Sequence, residues 1–237
     1  MQTKKIVYTD GDHTLEGFAA YEEGEQNRPI VLIFHAWRGR DAFVEEKAVE
    51  LASLGYVGFA VDVYGQGILG ESTEENMRLM SPFIEDRSLL RRRLLSAWEA
   101  RTLLAPYGRG DRCAAIGYCF GGLCALDLAR AGVSLAGAVS FHGLLHAPEY
   151  GKKEKIAAKV LALHGHDDPM VRPSEVLAFE QEMSEQRVDW QVHVYGGTMH
   201  AFTNPIAQDP SAGTVYNAVA DRRSWIAMAQ FFHELFQ

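Results

Sequence analysis

The sequence predicts an α/β fold, a mostly parallel, twisted sheet with helices on both of its faces. Three observations lead there. Apolar runs that read as strands alternate with segments whose apolar residues recur at helical spacing. Several runs are continuously apolar, Pro29-Ile30-Val31-Leu32-Ile33-Phe34 above all, as strands covered on both faces are. No linker, low-complexity tract or internal repeat interrupts the alternation, so 1–237 reads as one domain.

The elements follow in order. Residues 5–8 and 15–21 read as a hairpin pair around Asp10-Gly11-Asp12, and 29–34 as a buried strand. Residues 42–54 are a helix that stops at Gly55, and 56–61 a strand. Residues 65–82 read as a loop that shapes a pocket. Residues 84–104 carry Leu90, Leu94, Ala97 and Trp98 at helical spacing. Cys113-Ala114-Ala115-Ile116 is a buried strand, and 123–129 a helix. Strands at 135–141, 159–163 and 190–195 alternate with a helix at 174–183, and a helix at 222–236 closes the chain.

Composition narrows the function. The 237 residues are 47% hydrophobic with a formal charge of −8. Nucleic acids and anionic membranes reward basic patches, so neither is expected as a partner. No apolar stretch approaches the length of about 20 residues that a span requires. The segment Met1-Gln2-Thr3-Lys4-Lys5-Ile6 lacks the apolar stretch of a signal peptide. Three cysteines without framework spacing fit a reducing, cytoplasmic setting. A monomer or a small homo-oligomer is expected.

The informative segment is Gly117-Tyr118-Cys119-Phe120-Gly121-Gly122, placed between a strand and a helix. A Gly-x-nucleophile-x-Gly turn in that context is a nucleophile elbow, here with Cys119 in place of the usual serine. Two further segments follow strands: His164-Gly165-His166-Asp167-Asp168 and Gly196-Gly197-Thr198-Met199-His200-Ala201-Phe202. Cys119, Asp168 and His200 thus come in the nucleophile, acid, histidine order of α/β-hydrolases, each at a C-terminal strand end where open α/β sheets bind ligands. Asp167 competes with Asp168, and spacing from Gly165 favours Asp168.

These residues resemble the dienelactone hydrolase family. The likeness rests on the cysteine elbow, on Gly165-x-x-Asp168-x-x-Val171, and on His200-Ala201-Phe202. Phe34-His35-Ala36-Trp37-Arg38-Gly39 and Asp62-Val63-Tyr64-Gly65 extend it over nearly the whole chain from about residue 15. The resemblance implies an α/β-hydrolase fold and hydrolysis of a small ester or lactone. Two departures stand out. Family lactonases often carry a glutamate where this chain has Ala36, and a carboxylate-gripping arginine where it has Asn204.

The residue types give the chemistry. A thiolate at a helix N-terminus beside an imidazole is poised to attack a carbonyl. His200 handles the proton and Asp168 orients the imidazole. The backbone N–H groups of Phe120 and Trp37 would form the oxyanion hole. The set needs no cofactor and no metal. His35, Tyr64, His142 and Phe202 are pocket candidates, with a structural role open for each. Cys113 and Cys124 read as buried hydrophobes, and Arg91-Arg92-Arg93 as a solvated helix face. Arg78 or Arg38 is a candidate partner for an acidic substrate. A thioesterase or other acyl hydrolase on the same residues, and a non-catalytic scaffold, are the alternatives.

Overall fold

Strand β3 (Pro29–Phe34) is buried at every residue, with successive side chains committed to opposite faces of a sheet. Ile30, Leu32 and Phe34 enter one apolar layer, Val31 and Ile33 the other. The same division runs along β5 (Arg109–Tyr118), where Cys113 and Ala115 face one layer and Ala114, Ile116 and Tyr118 the other. The protein is described by a computed structural model covering residues 1–24, 27–149 and 154–237.

The sheet has eight strands in the order β1-β2-β4-β3-β5-β6-β7-β8. β1 (Gln2–Asp10) and β2 (His13–Tyr21) form the antiparallel hairpin, and β2 also runs antiparallel to β4 (Val57–Ala60). From β4 onward all neighbours are parallel, through β6 (Gly137–Phe141), β7 (Lys159–Gly165) and β8 (Trp190–Tyr195). One face is covered by α3 (Arg87–Ala100), α4 (Phe120–Arg130) and α5 (Pro173–Glu185). The other carries α1 (Ala42–Ser53) and α6 (Ala218–Leu235). Among the described residues no helix is long and apolar enough to cross a membrane.

Three sequence expectations change. The expected loop at 65–82 ends in a helix, α2 (Thr73–Glu85). Ser72 caps it by accepting the Glu75 N–H, while the Glu75 carboxylate accepts from the Glu71 N–H. The single helix expected at 84–104 starts afresh at Asp86, whose carboxylate accepts the N–H groups of Ser88 and Leu89. It closes in a 3₁₀ turn at Arg101–Leu104. The arginine run is not uniformly solvated: Arg92 is exposed, but Arg93 is buried and pairs with Asp10 at 2.9 Å. A two-stranded ribbon, β9 (Gln208–Asp209) with β10 (Thr214–Val215), has no signal in the sequence pattern.

Helix α4 is buried over all eleven residues, Asp127 and Arg130 included. Asp127 accepts from Arg87 at 2.8 and 2.5 Å and from Arg130 at 3.2 Å. Arg130 also donates to Glu182 and to the Leu145 carbonyl. Buried charge persists only when paired and hydrogen-bonded, and this network ties α4 to α3, to α5 and to the chain beyond β6. The helix that begins at Cys119 is thereby fixed in place.

Candidate active site

Cys119 ends β5 and starts α4 with φ 56° and ψ −117°, a backbone region costly for a residue with a side chain. The flanking glycines make the turn possible. A Cβ on Gly117 would overlap the carbonyl of Gly121, and one on Gly121 would overlap the carbonyl of Phe34. The turn is held by Cys119 N–H to the Phe141 carbonyl, 3.0 Å, and by Gly122 N–H back to the Cys119 carbonyl, 2.9 Å. The Phe120 N–H, at the first position of the helix, is one of the donors that helix geometry leaves without an internal acceptor.

Asp168 and His200 leave β7 and β8 at the same end of the sheet. His200 Nδ1 lies 2.7 Å from Asp168 Oδ2, and Asp168 Oδ1 accepts the Met170 N–H at 2.8 Å. Both side chains are buried. Asp167 stays exposed, its N–H bonded to the Thr198 carbonyl. The backbone of His200 is clamped on both sides, its N–H donating to Gly213 and its carbonyl accepting from Val215. The 208–215 ribbon therefore aims the imidazole.

Cys119 and His200 shift one another in opposite directions. Burial alone would raise the thiol, but the His200 charge, its hydrogen bond and the Phe120 N–H bring it below the usual thiol range. Burial alone would lower the imidazole, but Cys119 and Asp168 push it up to about 10. The buried His200 Nε2 has no other partner among the described residues, which leaves it to the Cys119 sulfur. Cys119 keeps partial solvent access. Burial pushes Cys113 up to about 12 and Cys124 well above the usual range, so neither ionises near neutrality.

The pocket candidates separate by burial. His35 is fully buried, with both ring nitrogens bonded: Nδ1 to the Ala36 carbonyl at 2.7 Å and Nε2 to the Val63 N–H at 3.2 Å. His142 is buried beside the site, its ring edge-on to His200 at 5.1 Å and its Nε2 2.8 Å from the Thr203 hydroxyl. Burial, then the His200 charge, holds it well below the usual imidazole range. Phe202 is buried between His142 and Tyr195. Tyr64 is half-buried, and its hydroxyl donates to the Trp37 carbonyl at 2.9 Å.

Trp37 is half-buried in a turn closed by Gly39 N–H to the Ala36 carbonyl. The β3–β5 register, Phe34 opposite Gly117, brings the segments bearing Trp37 and Phe120 out of the same end of the sheet. Arg78 is exposed on α2, and Arg38 donates to the Gly70 carbonyl. The Asn204 side-chain oxygen accepts from Ile206 within its own loop. Sequence reasoning missed Asp62, whose buried carboxylate accepts from Glu16, Tyr64 and Gly65 N–H groups. The Asp62-Val63-Tyr64-Gly65 segment was its only signal.

A family model described as the dienelactone hydrolase family matches residues 15–236. This chain belongs to that family. It is similar over 100% of its length, and over 99% of the other chain, to a structure named a dienelactone hydrolase-like promiscuous phosphotriesterase from metagenomic libraries, at 36% identity and a TM-score of 0.94. A protein of Aquifex aeolicus named "Putative carboxymethylenebutenolidase" is 27% identical over 208 residues, 86% of this chain and 87% of the other. An uncharacterised Caenorhabditis elegans protein is 37% identical over 125 residues, 52% of this chain and 79% of the other. The α/β-hydrolase fold and a hydrolase activity follow from family membership.

Proposed function

We propose that this family member hydrolyses small neutral carboxylic esters or lactones through Cys119, His200 and Asp168. The observation that carries the reading is an arrangement: Cys119 on a strained elbow is coupled to His200, and Asp168 lies 2.7 Å behind the imidazole. The Cys119 thiolate adds to the substrate carbonyl, and the N–H groups of Trp37 and Phe120 receive the developing oxyanion. The tetrahedral adduct collapses to a thioester as His200 gives its Nε2 proton to the departing alkoxide. His200 then takes a proton from water, the hydroxide adds to the thioester, and the acid leaves as the thiolate re-forms.

Neutrality of the substrate is supported by Asn204, uncharged where family lactonases often carry an arginine and bonded within its own loop, and by Arg38, which is tied to the Gly70 carbonyl. A substrate carboxylate there would be buried without a partner, at a typical cost of about 3–5 kcal/mol. The test compares kcat/KM for a neutral ester with that for its carboxylate-bearing analogue, on wild type and Cys119→Ala. A clear preference for the anion, or full turnover by the variant, would overturn the reading. The metagenomic relative's name brings phosphotriesters into the same panel, since a thiolate with two amide donors suits a neutral phosphoryl oxygen as well.

A further inference from the structure

We infer that His35 and Tyr64 are positioning residues for hydrolysis: together they hold and polarise the peptide that carries the Trp37 N–H. This rests on the role proposed above for Trp37 as an oxyanion donor. The Trp37 N–H belongs to the same peptide unit as the Ala36 carbonyl. No cis peptide occurs among the described residues, so N–H and carbonyl point to opposite sides of that unit. Whatever anchors the Ala36 oxygen therefore aims the Trp37 N–H.

Two donors meet at that oxygen, His35 Nδ1 at 2.7 Å and Gly39 N–H at 3.2 Å. The tautomer of His35 is dictated by its other side. The Val63 backbone N–H, 3.2 Å from Nε2, can only donate, so Nε2 carries the lone pair and Nδ1 the proton. A buried imidazole thus works as a fixed one-way donor. A hydrogen bond accepted by a peptide carbonyl strengthens the N–H of the same peptide as a donor.

Tyr64 fixes the next peptide through its hydroxyl on the Trp37 carbonyl, 2.9 Å. Its ring packs edge-on to His35 at 4.7 Å and stacks on Phe120 at 6.1 Å and Phe83 at 5.9 Å. One side chain therefore contacts the anchor of the first oxyanion amide and the residue that bears the second. Asp62 holds the Tyr64 backbone from beneath, accepting its N–H at 3.0 Å.

Three variants and three readouts test this. Tyr64→Phe deletes one hydroxyl and keeps the ring; His35→Gln keeps an acceptor near Nε2; His35→Asn keeps a donor near Nδ1. The readouts are kcat against KM for p-nitrophenyl acetate, the rate of Cys119 alkylation by iodoacetamide, and the thermal midpoint. Alkylation develops no acyl oxyanion, so it reports the thiolate without the amide pair. Tyr64→Phe and His35→Gln are expected to lower kcat about 10–100-fold with alkylation unchanged, and His35→Asn to recover most of the loss. Unchanged kcat in Tyr64→Phe and His35→Gln would overturn the inference. So would a parallel fall of kcat and alkylation, which marks a general disturbance of the elbow. If the His35 variants do not fold, Tyr64→Phe decides alone. Wild-type turnover by Cys119→Ala would instead strike the proposed function itself.

Discussion

Replacing Asp168 by asparagine removes a buried charge and leaves the shape of the site almost unchanged. The carboxylate lies 2.7 Å from His200 Nδ1, with both groups out of solvent. At an effective dielectric of about 20, a charge pair about 4 Å apart is worth about 4 kcal/mol. In the proposed mechanism that stabilisation acts on the imidazolium, the form that would donate to the leaving group, so its loss corresponds to about three decades in rate. The second effect has a sign of its own. Asp168 helps push His200 up to about 10, so the alkaline limb of the activity profile, where the imidazolium loses its proton, should move to lower pH in Asp168→Asn. Rates of p-nitrophenol release across pH measure both. A variant within about tenfold of wild type, with its alkaline limb in place, would refute the assignment of Asp168.

Other perturbations probe the thiolate, the helix and the turn. Cys119 should be alkylated by iodoacetamide with a midpoint below that of an ordinary thiol, and His200→Asn should raise the midpoint, since the His200 charge lowers the thiol against the burial that raises it. Asp127→Asn leaves Arg87 and Arg130 short of a buried counter-charge and should destabilise the fold by about 3–5 kcal/mol in a denaturant titration. Gly121→Ala forces a methyl onto the Phe34 carbonyl, so the soluble yield or the thermal midpoint should fall well below that of a surface alanine substitution.

Much of the architecture was legible because its signals are local. The continuous apolar runs of β3, β6 and β7 announce strands buried on both faces, and the structure buries every residue of β3 and β6. The spacing of the elbow glycines around Cys119, and the placing of Asp168 and His200 after strands, led to residues that the fold does bring together at one end of the sheet. What escaped was set by contacts remote in sequence. Arg93 looks like a surface residue until β1 places Asp10 against it, 83 positions away. His35 stands at a strand end like a pocket residue, yet its bond to Val63, 28 positions on, commits the ring to the backbone. The Ser72 and Asp86 caps were visible in principle, as polar residues ahead of helical runs, and were masked by the glycines and proline around them.

The central claim is that the Cys119 sulfur carries the acyl group during turnover. The direct measurement is acid-quenching of the enzyme during the burst with p-nitrophenyl acetate, followed by peptide mapping by mass spectrometry. One acetyl group on the peptide containing Cys119, formed at the rate of the burst and absent in Cys119→Ala, is the expected result. A burst that leaves Cys119 unmodified, or that persists undiminished in Cys119→Ala, would contradict it.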